Sequence, residues 1–393
     1  MTFLYDIINL QFVLILYFIA VYYLRLDAIK SFLVLGHLIA IFLLNDVLFE
    51  SSYWSDQRRY LWSTMNIREQ LVSLQGTSVG DVPKQWFASF IFAFLPIPFI
   101  NSIQSIAMIN FLLYLLSFVY LRKKGVSSNS VDFFFLLYPS FLLYSSLALR
   151  ETLITLFMIL SMYFILIEEK RLTALIFALP LAIIKSQNFL IIILTYVVYN
   201  FLKKRSIQRY LILLGGGLLV FLFGNQIPLI NFFFEKIDYY RWNLIAENFA
   251  YDWSFMESYD YQSFESGFSI IPLVIKSFIY MLFKPFPWEA TNLVQLFQSV
   301  ENIFIIALIV WVLRKKVYTH IIKRKLIFLN ILLILSMTIY GLVTFNFGTA
   351  ARFRFPFIVV YLVYYLYFLR FDKIISRQYS RDYSSIPAIS LAP

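Results

Sequence analysis

The 393-residue chain contains no cysteine. That removes disulfides, thiolate catalysis and any Cys-ligated metal centre. Histidine is nearly as scarce: His37 and His320 lie far apart, and neither belongs to an H-E-x-x-H pattern. A histidine-built zinc or di-metal site is therefore not expected, and no cofactor is implied. Charged residues make up only 14% of the chain against 61% hydrophobic, far from the balance of a soluble domain. No long stretch of ordinary composition exists that could form a soluble enzyme on a membrane anchor. The N-terminus lacks a basic n-region and a small-residue cleavage site, so no signal peptide is read there.

What the chain has instead is apolar runs from end to end, which predict an all-α, polytopic integral membrane protein. Spans are expected near 7–24, 31–49, 88–121, 131–149, 152–167, 172–184, 189–202, 210–223, 300–313, 326–344 and 356–369, about eleven in all. Several are shorter than the roughly 20 residues that cross a bilayer upright. The basic clusters Arg122-Lys123-Lys124, Lys203-Lys204-Arg205, Arg314-Lys315-Lys316 and Lys323-Arg324-Lys325 all fall on one side of this map. The positive-inside rule makes that side cytoplasmic and places the N-terminus outside and the C-terminus inside. The net charge of +11 is thus topology, not a nucleic-acid footprint. Residues 268–283 are apolar, but counting them as a span would move a basic cluster outside. They read as an interfacial or re-entrant helix with Lys276 snorkelling. One membrane domain covers 1–371, with external loops 50–87 and 224–299, and the tail 372–393 is expected to be disordered.

Arg150 and Glu151 stand side by side in the apolar stretch Val131–Ile167, which has no other charge after Asp132. Each such charge costs roughly 2.5–3.5 kcal/mol at mid-membrane on insertion scales. The pair either caps a hairpin or belongs to a polar site. Other polar groups collect on the same predicted face: Asp56-Gln57-Arg58-Arg59, with Arg68 and Glu69; Lys185-Ser186-Gln187-Asn188; Lys284 to Glu289; and Arg352 with Arg354. Cations at several helix ends around one cavity suit a polyanionic ligand such as a phosphate or pyrophosphate. Each also has a plainer reading. Arg58, Arg59 and Arg68 can be snorkelling anchors, Lys185 a charged turn, and Arg352 and Arg354 an interfacial belt with Phe353 and Phe355. The acids of 235–265 read as a solvated loop surface, and His37 as a hydrogen-bonded packing residue.

The order of these segments resembles bacterial polysaccharide repeat-unit (O-antigen) polymerases and related C-type integral-membrane glycosyltransferases. The likeness rests on Asp56-Gln57-Arg58-Arg59-Tyr60, on Tyr138-Pro139-Ser140 leading to Ser145-Ser146-Leu147-Ala148-Leu149-Arg150-Glu151, and on Lys185-Ser186-Gln187-Asn188. It continues through Pro285-Phe286-Pro287-Trp288-Glu289, Glu301-Asn302 and Gly348-Thr349-Ala350-Ala351-Arg352-Phe353-Arg354. One departure is that Asp56 follows two apparent spans, whereas C-type enzymes often carry a catalytic carboxylate after a single one.

The resemblance implies a transferase of the bacterial inner membrane that makes O-antigen or capsule, with polyprenyl-pyrophosphate-linked glycans as donor and acceptor and a chain-length regulator as a possible partner. A carboxylate would take the acceptor proton, and cations would hold the departing pyrophosphate, so no metal is required. The implied bases are Asp56, Glu151 and Glu289. The implied pyrophosphate ligands are Arg150, Arg352 and Arg354, then Lys185, then Arg58 or Arg59, with Gln187 and Lys284 among the substrate contacts. A lipid-linked oligosaccharide flippase would want the same cations without the carboxylate. Such proteins generally show an internal repeat, and none is visible. A transferase adding a single sugar differs only in substrate.

Overall fold

The computed structural model describes residues 2–45, 47–49, 55–73, 83–203, 207–249, 267–268, 270–344 and 347–384. The described residues form α-helices and no strand beyond an isolated bridge between Asn45 and Phe49. The chain makes two compact units, the first Met1–Leu190 with Val359–Pro393 and the second Ile191–Ile358, where the sequence suggests one domain.

The first unit opens with α1 (Thr2–Leu24), α2 (Ala28–Leu44) and α3 (Ser55–Val72), followed by α4 (Pro83–Phe94) and α5 (Ile103–Lys123). It continues through α6 (Asn129–Leu137), α7 (Pro139–Ser146), α8 (Glu151–Leu166) and α9 (Arg171–Ile184) to the start of α10 (Ser186–Leu202), which passes into the second unit at Ile191. The second unit holds α11 (Ile207–Phe223), α12 (Pro228–Phe249), α13 (Ile270–Phe283), α14 (Leu293–Leu313) and α15 (His320–Val343). The last helix, α16 (Phe347–Ser384), like α10, contributes to both.

Local chemistry explains the boundaries. Ser102 starts α5 with a capping box to Ser105, and Arg122 and Lys123 sit in its last turn, where the helix dipole favours cations. The span expected at 88–121 is instead two helices. Pro96 and Pro98 cannot donate to a helical ladder, and the chain breaks between α4 and α5. Arg68 of α3 serves that break, donating to the carbonyls of Ala93, Leu95 and Ile97 at 3.3, 3.0 and 2.7 Å; burial lowers its pKa. Pro139 likewise divides the expected 131–149 span into α6 and α7.

The loop expected at 50–87 is helical over α3, because Gln57, Tyr60, Thr64 and Ile67 recur at helical spacing and are buried. The expected loop 224–299 contains α12 and α13; residues 250–266 lie outside the described residues. The tail expected to be disordered from 372 is helical to Ser384, since no Gly or Pro interrupts 372–384 and Asp372 is buried. Residues 385–393 lie outside the described residues.

Among the described residues four helices are long and apolar enough to cross a bilayer, Phe3–Leu24, Ile103–Lys123, Leu293–Leu313 and His320–Val343, and the bent pair α7–α8 makes a fifth if it counts as one span. The remaining apolar helices run 10–17 residues. They fall short of an upright crossing, so membrane association rests on the four or five.

In the second unit Phe234, Ile270, Leu273 and Leu342 join α12, α13 and α15 in one apolar cluster. The α13–α15 crossing is close at Gly341, where a Cβ would lie 2.1 Å from the Ser277 carbonyl oxygen. Lys276 is exposed beside Tyr280, its ammonium 5.4 Å from the ring centroid.

Candidate functional site

The central feature of the first unit is the interrupted backbone between α7 and α8, which meet at 119°. Such a break leaves helix-end carbonyls and N–H groups without intrahelical partners, and in an apolar setting each must find another. Neutral amides from three other helices supply them. Asn110 of α5 donates to the carbonyls of Leu147 and Leu149, both at 2.6 Å. Gln57 of α3 accepts the Ala148 N–H at 2.5 Å and donates to Asn45 at 3.2 Å. Asn45 in turn donates to the Ser146 carbonyl at 2.9 Å. All three side chains are buried.

His37 completes the support. Its Nε2 lies 3.1 Å from the Leu136 carbonyl and its Nδ1 2.8 Å from Ser145 Oγ. The carbonyl can only accept, so Nε2 carries the proton and Nδ1 accepts from the serine. The ring stacks on Tyr114 at 4.0 Å. His37 is thus a hydrogen-bonded packing residue, as its sequence context suggests.

Two expected site residues sit at the break itself. Arg150 is the residue preceding α8, half-buried, and its Nε has no hydrogen-bond partner. Glu151 opens α8 and is buried, where the helix N-terminus favours a negative charge. Helix α9 packs on α8 after a four-residue connection (167–170), so the two run antiparallel. The end of α9 therefore lies along the N-terminal half of α8, where Asn188 meets Met158. There Lys185 closes α9 and is buried. Gln187 follows, its Oε1 buried without a hydrogen-bond partner, and Asn188 donates to Met158 Sδ at 3.2 Å. Gln57 also brings α3 to the break. Its neighbours Arg58 and Arg59 are exposed and Asp56 is half-buried, with Asp56 and Arg59 3.9 Å apart.

The second unit holds the other expected residues, and here the geometry is structural. Arg354 is buried, and its Nη1 donates to the carbonyls of Met281 and Leu282 at 2.8 and 3.0 Å, with Lys284 O at 3.4 Å. Its Nη2 donates to Asn302 Oδ1 at 2.6 Å. Asn302 donates to Phe283 O and Lys284 O, both at 3.0 Å. Arg354 and Asn302 together cap the C-terminus of α13. Lys284 pairs with Glu289 at 2.8 Å, and Glu289 also accepts the Phe286 N–H at 3.1 Å. That carboxylate closes a turn. Arg352 is half-buried. Because α16 begins at Phe347, Arg352 and Arg354 are two residues apart on a helix and do not share a face.

Asp56, Arg58, Arg59, Arg150, Glu151, Lys185 and Gln187 lie in the first unit, and Lys284, Glu289, Arg352 and Arg354 lie in the second. Sequence reasoning missed the structural roles of Asn45, Gln57 and Asn110. Among the described residues no group of three or more His, Asp or Glu is placed to hold a metal ion. No protein-family model, curated protein or solved structure matches the chain.

Proposed function

We propose that the chain is a membrane glycosyltransferase that joins polyprenyl-pyrophosphate-linked oligosaccharide repeat units into a surface polysaccharide. The observation that carries this reading is the Arg150–Glu151 pair at the α7–α8 break, with Lys185 and Gln187 on the adjoining helix end. The break is held by neutral amides, which leaves the Arg150 guanidinium for a ligand. A bidentate guanidinium suits pyrophosphate oxygens. Cations fixed in a site of low dielectric stabilise the charge that develops as the pyrophosphate departs.

In the proposed reaction a sugar hydroxyl of the acceptor attacks the anomeric carbon of the donor. The bond to the pyrophosphate oxygen breaks, the lipid pyrophosphate leaves with the electron pair, and a carboxylate takes the hydroxyl proton. Glu151 is the first choice of base. It is buried at the first residue of α8, beside Arg150. Asp56, on the helix that Gln57 ties to the break, is the second choice. The shorter apolar helices complete about eleven crossings on this reading. The break opens to the outer face of the inner membrane, with the C-terminus cytoplasmic.

The test is to incubate purified protein with a lipid-pyrophosphate-linked repeat unit from its own source and resolve the products on a gel. A ladder spaced by one repeat is expected, abolished by Arg150→Gln and Glu151→Gln at unchanged protein level. A single added sugar would replace polymerisation by a one-step transfer. A blank from well-folded protein would overturn the transferase reading.

A further inference from the structure

The first unit has a second polar site, far from the α7–α8 break. Along α2 Lys30 lies 15 residues from Asn45, and along α5 Arg122 lies 12 residues from Asn110. At 1.5 Å per residue this is a separation of about 18–22 Å. Here a cavity of about 350 Å³ is lined by Lys30, Arg122 and Arg370, by the Ser127–Ser130 segment and by Asp132. We infer that this cavity binds the phosphate headgroup of an anionic phospholipid, with the acyl chains on the apolar surface beside it. The inference does not rest on the transferase reading.

Charge comes first. Three cations line the cavity against one carboxylate. Asp132 is buried and bridges two of them, Lys30 and Arg122, each at 3.2 Å. It also accepts from Ser127 Oγ at 2.8 Å. Lys30 additionally contacts Asp27 at 3.4 Å and Asn129 Oδ1 at 3.2 Å. Asp132 thus fixes two cations in place, which lowers the ordering cost of binding. Arg370 is exposed and donates to the Ser127 carbonyl. Its guanidinium has further N–H groups for a phosphate oxygen, and the exposed Ser130 adds a hydroxyl.

The surroundings favour a lipid over a free anion. Three of the four lining charges have an exposed apolar neighbour in sequence: Ile29 beside Lys30, Phe133 beside Asp132 and Phe371 beside Arg370. Phe32 adds a further exposed ring one turn along α2. Basic pockets between apolar helices, open to an apolar surface, are the pattern that retains acidic phospholipids.

The experiment uses full-length protein in a neutral detergent, with phosphatidylglycerol and phosphatidylcholine as probes, read by native mass spectrometry. Saturable retention of phosphatidylglycerol over phosphatidylcholine is expected. Arg370→Ala and Ser130→Glu, both surface changes, should each weaken it about tenfold. Lys316→Ala, which removes an equal charge from an exposed lysine in the second unit, should leave it unchanged. Equal retention of the two lipids, or an equal loss with Lys316→Ala, overturns the site. A short-chain phosphatidylglycerol should displace the bound lipid where inorganic phosphate at the same concentration does not. Equal displacement by phosphate overturns the lipid assignment in favour of a free anion.

Discussion

In the first unit the backbone interrupted between α7 and α8 is held by neutral amides, Asn45, Gln57 and Asn110. In the second unit the end of α13 is held by a charge, Arg354, working with Asn302. Both solutions satisfy carbonyls that the surroundings cannot. They differ in what they leave over. Where amides do the capping, the neighbouring arginine keeps donor groups for something else, and Arg150 has a buried Nε without a partner. Where arginine does the capping, its fork is occupied. A charge in an apolar run is therefore a functional candidate only after the nearby helix ends have been accounted for.

The strongest way to break this comparison is Arg354→Ala. It strips charge-assisted donors from the carbonyls at the end of α13 and from Asn302, and should destabilise the second unit by about 4 kcal/mol. Loss of folded protein on size-exclusion chromatography would show it. If Arg354→Ala instead remained stable and only lost transfer activity, the arginine would return to the ligand set. Asn110→Ala comes next, at about 3 kcal/mol, because two buried carbonyls lose their donor. Arg150→Ala should by contrast leave stability nearly unchanged while abolishing polymer. If Arg150→Ala were as destabilising as Asn110→Ala, the pair would be a hairpin clip and the comparison would fail. Gly341→Ala should cost about 2 kcal/mol, because a Cβ 2.1 Å from the Ser277 carbonyl forces α13 and α15 apart. Its effect should be on thermal stability alone.

Much of this was legible in the sequence, and the failures have physical causes. Helical, membrane-type architecture follows from composition. Arg150 and Glu151 stand out because charge in an apolar run is costly. Pro139 and the Pro96–Pro98 pair carry their own signal as helix breakers, although hydropathy averaged over a window reads straight across them. Asn45, Gln57 and Asn110 could not be singled out. A lone neutral amide has no periodicity, and their partners at the break lie between 37 and 101 residues away. The capping role of Arg354 was hidden for a related reason: its acceptors include backbone carbonyls on another helix, which no residue pattern announces. The long polar loops hid α3 and α12 because their apolar positions recur at helical spacing among charges.

The smallest effect concerns a charged cap that water already serves. Asp27 precedes α2, and its side chain accepts the Lys30 N–H at 2.8 Å. That backbone hydrogen bond, with smaller contributions from the Lys30 and Arg122 charges, holds its carboxyl below the ordinary 3.8. A depressed carboxyl contributes stability that is fully present above its unfolded pKa and is lost as pH falls through the folded one. Stability owed to Asp27 should therefore be flat from pH 7 down to about pH 5 and decline only below about pH 4. Asp27→Asn keeps an acceptor oxygen at the cap and should remove that acid-side decline without shifting the neutral plateau. An equal fall in the plateau would mean that the charge, and not the hydrogen bond, starts α2. The neutral caps at the α7–α8 break would then be the exception in this protein.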